Sequence, residues 1–314
     1  MATINTTGTS GLSPTMQTFY DKRLLKNMEA VLAYTKYGQK RPIPRGSGKT
    51  VSFRKFKPFE VSTTALTEGT TPGGHDMSMT QVTATVAQYG DYVTVSDLLQ
   101  MTAIDPVIVE ANRLNGMQAG ETIEAVTRNV LSAGTNVLYA KGTSRTAVGA
   151  ADVLTTELLR KAVRTLKKNR AQPFIRNGKP YYYAIVNPDT TYDLQNDAKW
   201  ESKALYQQAE RVESGEIGKL YGVVIIEATQ GIVFSGAGAS SADVAGTIVF
   251  GRDAYGTVDI AGSGAVQTII KPLGSAGSAD PLDQRSTVGW KVPAYTACIL
   301  QQDWILRIEH GMSA

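Results

Sequence analysis

The rhythm of apolar positions changes several times along this chain, and each change marks an element. Residues 1–15 are rich in Thr, Ser and Gly and show no periodicity. From 16 to 37, Phe19, Leu24, Leu25, Met28, Val31, Leu32 and Tyr34 recur at mixed spacings of three and four, which predicts a helix ended by Gly38. Arg41-Pro42-Ile43-Pro44 follows as an extended strap, because a residue before proline avoids the helical region. Residues 50–59 read as a strand whose far end Pro58 pushes out of the ladder. Residues 80–95 read as a second strand. Val82, Ala84 and Val86 share one face, Val93 and Val95 have the opposite parity, and a bulge at Gly90-Asp91 would correct the phase. Residues 60–79 lie between these strands with no core-facing pattern, the signature of a functional or loose loop. Two long strands with such a tip cannot bury themselves as an isolated hairpin and need a surface to lie on.

Ser96 is placed to cap a short helix, Asp97 to Met101. The longest element comes next. Asp105-Pro106 supplies an N-cap and a proline at the first helical position, and apolar residues from Val107 to Val130 carry the helix to about Ser132, before Gly134. Gly116 and Gly120 inside it allow a bend or a close backbone approach. A second amphipathic helix covers about 156–170, with Leu158, Leu159, Ala162, Val163 and Leu166 as its stripe. Tyr181–Val186 reads as a buried strand, and Asn187-Pro188-Asp189 opens a short helix to Asn196. Further strands are predicted at 223–227, 247–250, 266–271, 286–292, 296–300 and 304–309. Helices and strands mix without a βαβ rhythm, so the fold class is α+β with mostly antiparallel pairing.

The 314 residues suffice for one large domain or two interleaved ones, and 42% hydrophobic with 19% charged residues reads as globular. Charge changes the picture more. Residues 1–57 hold eleven cations against two anions, a net +9, so the remainder carries −5 to reach the overall +4. A basic first sixth on an acidic body points to nucleic acid or an acidic neighbour, with a solvated basic surface as the plain alternative. The single cysteine, Cys298, excludes an internal disulfide and lies in an apolar run, as a buried inert thiol would. The N-terminus lacks the basic-then-apolar order of a signal peptide, and no apolar run nears the roughly 20 residues of a membrane helix. A reducing, aqueous compartment is expected.

Candidate chemistry is thin. Gly46-Ser47-Gly48-Lys49-Thr50 resembles the end of a phosphate-binding loop, but that loop needs a strand before it and a helix after it. Here Ile43 stands at the first glycine position, a Pro-Ile-Pro strap precedes, and a strand follows. His75 and His310 have no neighbour at metal-ligand spacing, and no nucleophile elbow is present. Glu121 and Glu124 share a helix face and are expected to be solvated; Glu213 and Glu216 flank a glycine turn. No catalytic residue, metal ligand or cofactor site is assigned.

The order of elements resembles the major capsid protein fold of tailed bacteriophages, shared with herpesviruses. Its parts map in order: an N-terminal arm at 1–47, an extended two-stranded loop at 48–95, a spine helix and peripheral domain at 96–149, an apical α/β domain at 150–265, and return strands of the peripheral domain at 266–314. Local text is similar to one large branch of that family: Trp200 with Gly215-Glu216-Ile217-Gly218-Lys219-Leu220-Tyr221-Gly222, then Arg285-Ser286-Thr287-Val288-Gly289-Trp290-Lys291, then Ala297-Cys298-Ile299-Leu300 with Trp304-Ile305-Leu306-Arg307-Ile308.

The resemblance implies a structural shell subunit that forms hexamers and pentamers of an icosahedral head around double-stranded DNA, assembled in the host bacterial cytoplasm. The hairpin would lie across an adjacent copy and the arm would reach another. Contacts between copies are expected at Phe19, Lys22, Arg23, Lys26 and Arg41 in the arm, and at Leu66, Glu68, His75, Asp76 and Met77 in the tip. Packaged DNA would be touched without sequence readout. Two departures matter. Residues 60–79 contain no lysine, which speaks against the tip cross-link some members form. Only about fifteen polar residues precede the first predicted helix, so a separate scaffolding protein, beside a portal, is expected and a cleaved scaffolding segment is not. The alternatives are another phage structural protein, of tail or decoration type, and a nucleotide-binding enzyme using residues 46–50.

Overall fold

The computed structural model describes residues 33–56, 59, 61–63, 65–66, 68–71, 73–102, 107–176, 178–197, 200, 216–260, 266–277 and 280–313. The predicted helix at 16–37 lies largely outside them. Its described end is not helical: residues 33–38 form bends and turns. The amides of Ala33 and Tyr34 donate to the side chain of Glu124, far along the sequence.

Two sheets carry the molecule. The larger has eight strands. Its main path is β5 (Val137–Tyr139), β15 (Ile305–Gly311), β11 (Val244–Phe250), β7 (Lys179–Val186), β9 (Val223–Glu227) and β8 (Glu216–Leu220). β6 (Phe174–Arg176) pairs with β7, and β10 (Ile232–Phe234) with β11. Alternation decides its two faces, because successive strand side chains point to opposite sides. Tyr182, Ala184, Val186, Val223, Ile225, Val249, Leu306 and Ile308 pack in one core with Leu158, Leu159, Ala162, Val163 and Leu166. Those five are the predicted stripe of a helix at Thr156–Lys168, which Thr155 caps by accepting from the Leu158 amide. The intervening residues, Tyr183, Ile185, Val224, Ile226, Ile248, Phe250 and Ile305, face a second core containing Ala33, Tyr34, Leu131 and Tyr255. Both faces are therefore covered, and strands that read as continuous apolar runs are explained.

The smaller sheet has five strands in the order β1 (Gln39–Ile43), β12 (Tyr255–Ile260), β14 (Arg285–Ile299) and β13 (Gln267–Lys271), with β4 (Ala87–Ser96) also on β14. The strands predicted at 286–292 and 296–300 are one continuous β14. Pro293 is tolerated because the β14 register against β4 shifts between Val292 and Tyr295, where the ladder skips a residue. No bulge falls at Gly90-Asp91, since β4 pairs with β14 without interruption from Tyr89 to Ser96; the phase changes at Val86, between β3 (Met79–Thr85) and β4. Gly90 has another use: a Cβ there would sit 2.6 Å from the Trp290 carbonyl oxygen, so β4 and β14 approach closely only through glycine.

The long helix, Val107–Ser132, lies across this sheet. Ala119 and Ile123 pack with Val266, Trp290, Val292 and Tyr295. Asn115 Nδ2 donates to the Val288 carbonyl at 3.0 Å, and Trp290 Nε1 to Gln118 Oε1 at 2.9 Å. We number the helices α1 (Asp97–Thr102), α2 (Val107–Ser132), α3 (Thr156–Lys168) and α4 (Pro188–Gln195). Ser96 and Asn187 cap α1 and α4 as predicted. The last carbonyls of α2 region are held by Arg307 of β15, which donates to Ser132 and Gly134. That guanidinium ties the helix end to the eight-stranded sheet.

Candidate functional site

The pair β2 (Thr50–Phe56) and β3 forms its own two-stranded antiparallel sheet, in register from Thr50 opposite Thr85 to Phe56 opposite Met79. One face of its base is anchored. Val51, Phe53, Val82 and Ala84 pack with Ile43, Val86, Val258, Ala294 and Cys298, and Lys55 Nζ donates to Gln301 Oε1. Beyond the base the described residues of the tip are exposed. Phe56, Phe59, Val61, Leu66, Met77 and Met79 are exposed, Leu66 to 77% and Val61 to 78%. Phe59 and His75 face each other across the tip, ring centroids 6.1 Å apart. Fully burying an aliphatic side chain of this size is worth roughly 1.5–3 kcal/mol. A tip of this composition gains that only against another surface.

The expected contact residues fall into two groups. Leu66, Glu68, His75, Asp76 and Met77 are all exposed in the tip, and Arg41 is exposed on β1 at the edge of the five-stranded sheet. Phe19, Lys22, Arg23 and Lys26 lie outside the described residues. Sequence reading missed a second apolar surface: Leu98, Leu99 and Met101 of α1, Tyr92 and Val93 of β4, and Leu114 and Met117 of α2 are exposed. The signal was present in Leu98-Leu99 and Met101, which a six-residue helix cannot bury on one face.

The candidate chemistry takes the following places in three dimensions. Gly46 and Gly48 adopt positive φ in a turn closed by the Ser47 amide on the Pro44 carbonyl, and Lys49 leads into β2. A strand stands where a phosphate site needs a helix N-terminus. Cys298 is buried on β14, and burial pushes its thiol up to about 11. His310 is buried on β15. Its Nδ1 donates to the Gly311 carbonyl at 2.8 Å, which leaves Nε2 to accept from Thr247 Oγ1 at 2.9 Å. Desolvation holds that imidazole down at about 4.

Glu216 begins β8, is buried, and pairs with Arg176 at 2.9 Å; Glu213 and the glycine turn at Gly215 lie outside the described residues. One carboxylate corrects the expectation. Glu124 is not solvated: it is 3% exposed, on the face of α2 turned toward the second core. Its Oε2 accepts from the Tyr34 amide at 2.9 Å and its Oε1 from the amides of Ala33 and Tyr34. Tyr255 of β12 donates its hydroxyl to the Tyr34 carbonyl. Desolvation raises the Glu124 carboxyl to about 7, against the lowering effect of those amides and of Arg128. The helix-surface pattern gave no hint of this, since the partner lies ninety positions away.

What these features add up to is a body with two covered sheet faces, a hairpin anchored at its base and exposed at its tip, and the Ala33–Tyr34 turn seated on the long helix. A family model described as phage capsid protein matches residues 80–306. Among solved structures, the capsid of Ralstonia phage GP4 superposes with a TM-score of 0.69 at 14% identity, covering 90% of this chain and 89% of that one. The cyanophage Pam1 capsid subunit gives 0.64 at 17% identity, covering 90% and 94%. The encapsulin of the holo-SrpI complex from Synechococcus elongatus PCC 7942 gives 0.57 at 10% identity, covering 99% and 93%. At these identities the likeness is one of fold. A search of curated proteins returned no match. The family match spans most of the chain and the fold of the described residues agrees with it, so the chain belongs to the phage capsid protein family and is a structural subunit of a capsid shell.

Proposed function

We propose that this subunit closes into rings of six and five that tile an icosahedral head around double-stranded DNA, with the hairpin of each copy laid across its neighbour. The observation that carries the reading is the hairpin itself: its base is packed and bonded to the body, and its tip presents Phe59, Val61, Leu66 and Met77 to solvent. A tip that loose gains by burial between copies what it lacks in the monomer. Leu66, Glu68, His75, Asp76 and Met77 are then contact residues, and Arg41 joins Phe19, Lys22, Arg23 and Lys26 in an arm that reaches another copy or the DNA. The division into arm (1–47), hairpin (48–95), spine and peripheral domain (96–149), apical domain (150–265) and return strands (266–314) belongs to the same proposal.

Net +9 over residues 1–57 suits phosphate contact without sequence readout. A separate scaffolding protein and a portal complete the set of partners, and assembly takes place in the host bacterial cytoplasm. Sedimentation of the purified full-length chain across a concentration series tests the ring reading. The expected result is species of five and six subunits and closed shells above a threshold; a single monomer boundary at every concentration contradicts it.

A further inference from the structure

The seat of the N-terminal segment is a buried carboxylate, and its geometry tolerates both charge states. Glu124 Oε1 reaches both amides of Ala33 and Tyr34, so a proton on Oε2 leaves each donor with an acceptor. Around the carboxyl stand Arg128 on α2 itself, Tyr34 on the seated turn, Tyr255 from β12 and Tyr295 from β14; the Tyr295 hydroxyl is engaged 2.8 Å from Thr127 Oγ1. Among the described residues, Arg128 is the one cation in that set. Besides Arg128 and the amides of Ala33 and Tyr34, which favour the ionised form, the carboxylate meets three phenols and an apolar core in place of water, and desolvation outweighs those favourable contacts. We propose that Glu124 is a proton-controlled latch: neutral, it keeps the Ala33–Tyr34 turn seated on α2, and ionised, it favours opening of that turn, which frees the point where the N-terminal segment joins the body.

The direction follows from linkage. Seated, the carboxyl titrates at about 7; with the turn lifted, water reaches it and it returns toward the ordinary 4.5. The seated state therefore binds the extra proton, and its advantage, complete below the ordinary value, is lost as pH rises through about 7. Between pH 6 and pH 8 the opening equilibrium shifts roughly tenfold toward release. A shell protein with such a latch holds its N-terminal segment more tightly in mildly acidic than in mildly alkaline solution. This inference stands on the subunit's own fold and does not need the ring reading above.

Hydrogen exchange of the full-length protein at pH 6 and pH 8, corrected for intrinsic rates, reads the Ala33 and Tyr34 amides directly. The expected result is protection about tenfold higher at pH 6 in the wild type, and the same protection at both pH values in Glu124→Gln. Tyr255→Phe removes the hydroxyl bond to Tyr34 and leaves the carboxyl, so it is expected to lower protection at both pH values and keep the tenfold ratio. Equal wild-type protection at pH 6 and pH 8 overturns the proposal, as does a Glu124→Gln protein that retains the ratio. Should Glu124→Gln fail to fold, wild type and Tyr255→Phe still decide it: no ratio in either overturns the latch.

Discussion

The Tyr34 amide donates to the Glu124 carboxylate at 2.9 Å across ninety positions of sequence. That bond joins the segment entering the body to the middle of its longest helix. Residues 33–38 turn where apolar spacing predicts helix, and two of their amides are taken by that side chain.

Removing that acceptor should be costly. Glu124→Ala leaves two buried amides without a partner, each worth about 1–3 kcal/mol when unsatisfied. Relief of a desolvated carboxyl offsets part of this. At pH 6, where the carboxyl is mostly neutral, we expect a net loss of about 2 kcal/mol, read as a lower urea midpoint with unchanged slope.

His310 makes the fold acid-sensitive. Its folded value of about 4 lies below the ordinary 6.5, so the unfolded chain takes up the proton first. The stability it contributes is complete above about 6.5 and is lost as pH falls through about 4. Up to about 3 kcal/mol is at stake. Thermal unfolding from pH 7 to pH 4 should show a steep wild-type decline and a shallower one in His310→Gln; parallel curves would rule the histidine out.

Much of this was legible from local pattern. The α3 stripe and the caps at Ser96 and Asn187 rest on interactions within four residues, and the structure places them where sequence reading does. So do the hairpin strands. What failed depended on distant partners. Glu124 looks like a surface residue until Ala33 and Tyr34 arrive. Pro293 looks like the end of a strand because the register shift that accommodates it involves β4. β12 was missed because Tyr255–Ile260 begins Tyr-Gly-Thr and gains its apolar setting from β1 and β14. The exposed tip residues were legible as unpatterned, which is a statement about what the monomer lacks.

The basic arm gives a salt-dependent prediction. Neutralising Lys22, Arg23 and Lys26 together should weaken contact with DNA or with neighbouring copies, most at low ionic strength, where charges are felt over about 10 Å or more. Assembly yield and DNA retention across a salt series check it. Wild-type behaviour at every salt concentration would remove the arm from either role.

The central claim is that the hairpin finds its complement on another copy. Deleting residues 62–77 removes Leu66 and Met77 while leaving the base, with Val51, Phe53, Val82 and Ala84, in place. Electron micrographs of purified wild-type and deleted protein test this most directly. The account predicts closed particles or rings of five and six from the wild type, and a folded deletion protein that forms none. Normal particles from the deletion protein, or a wild type that stays monomeric at every concentration, would contradict it.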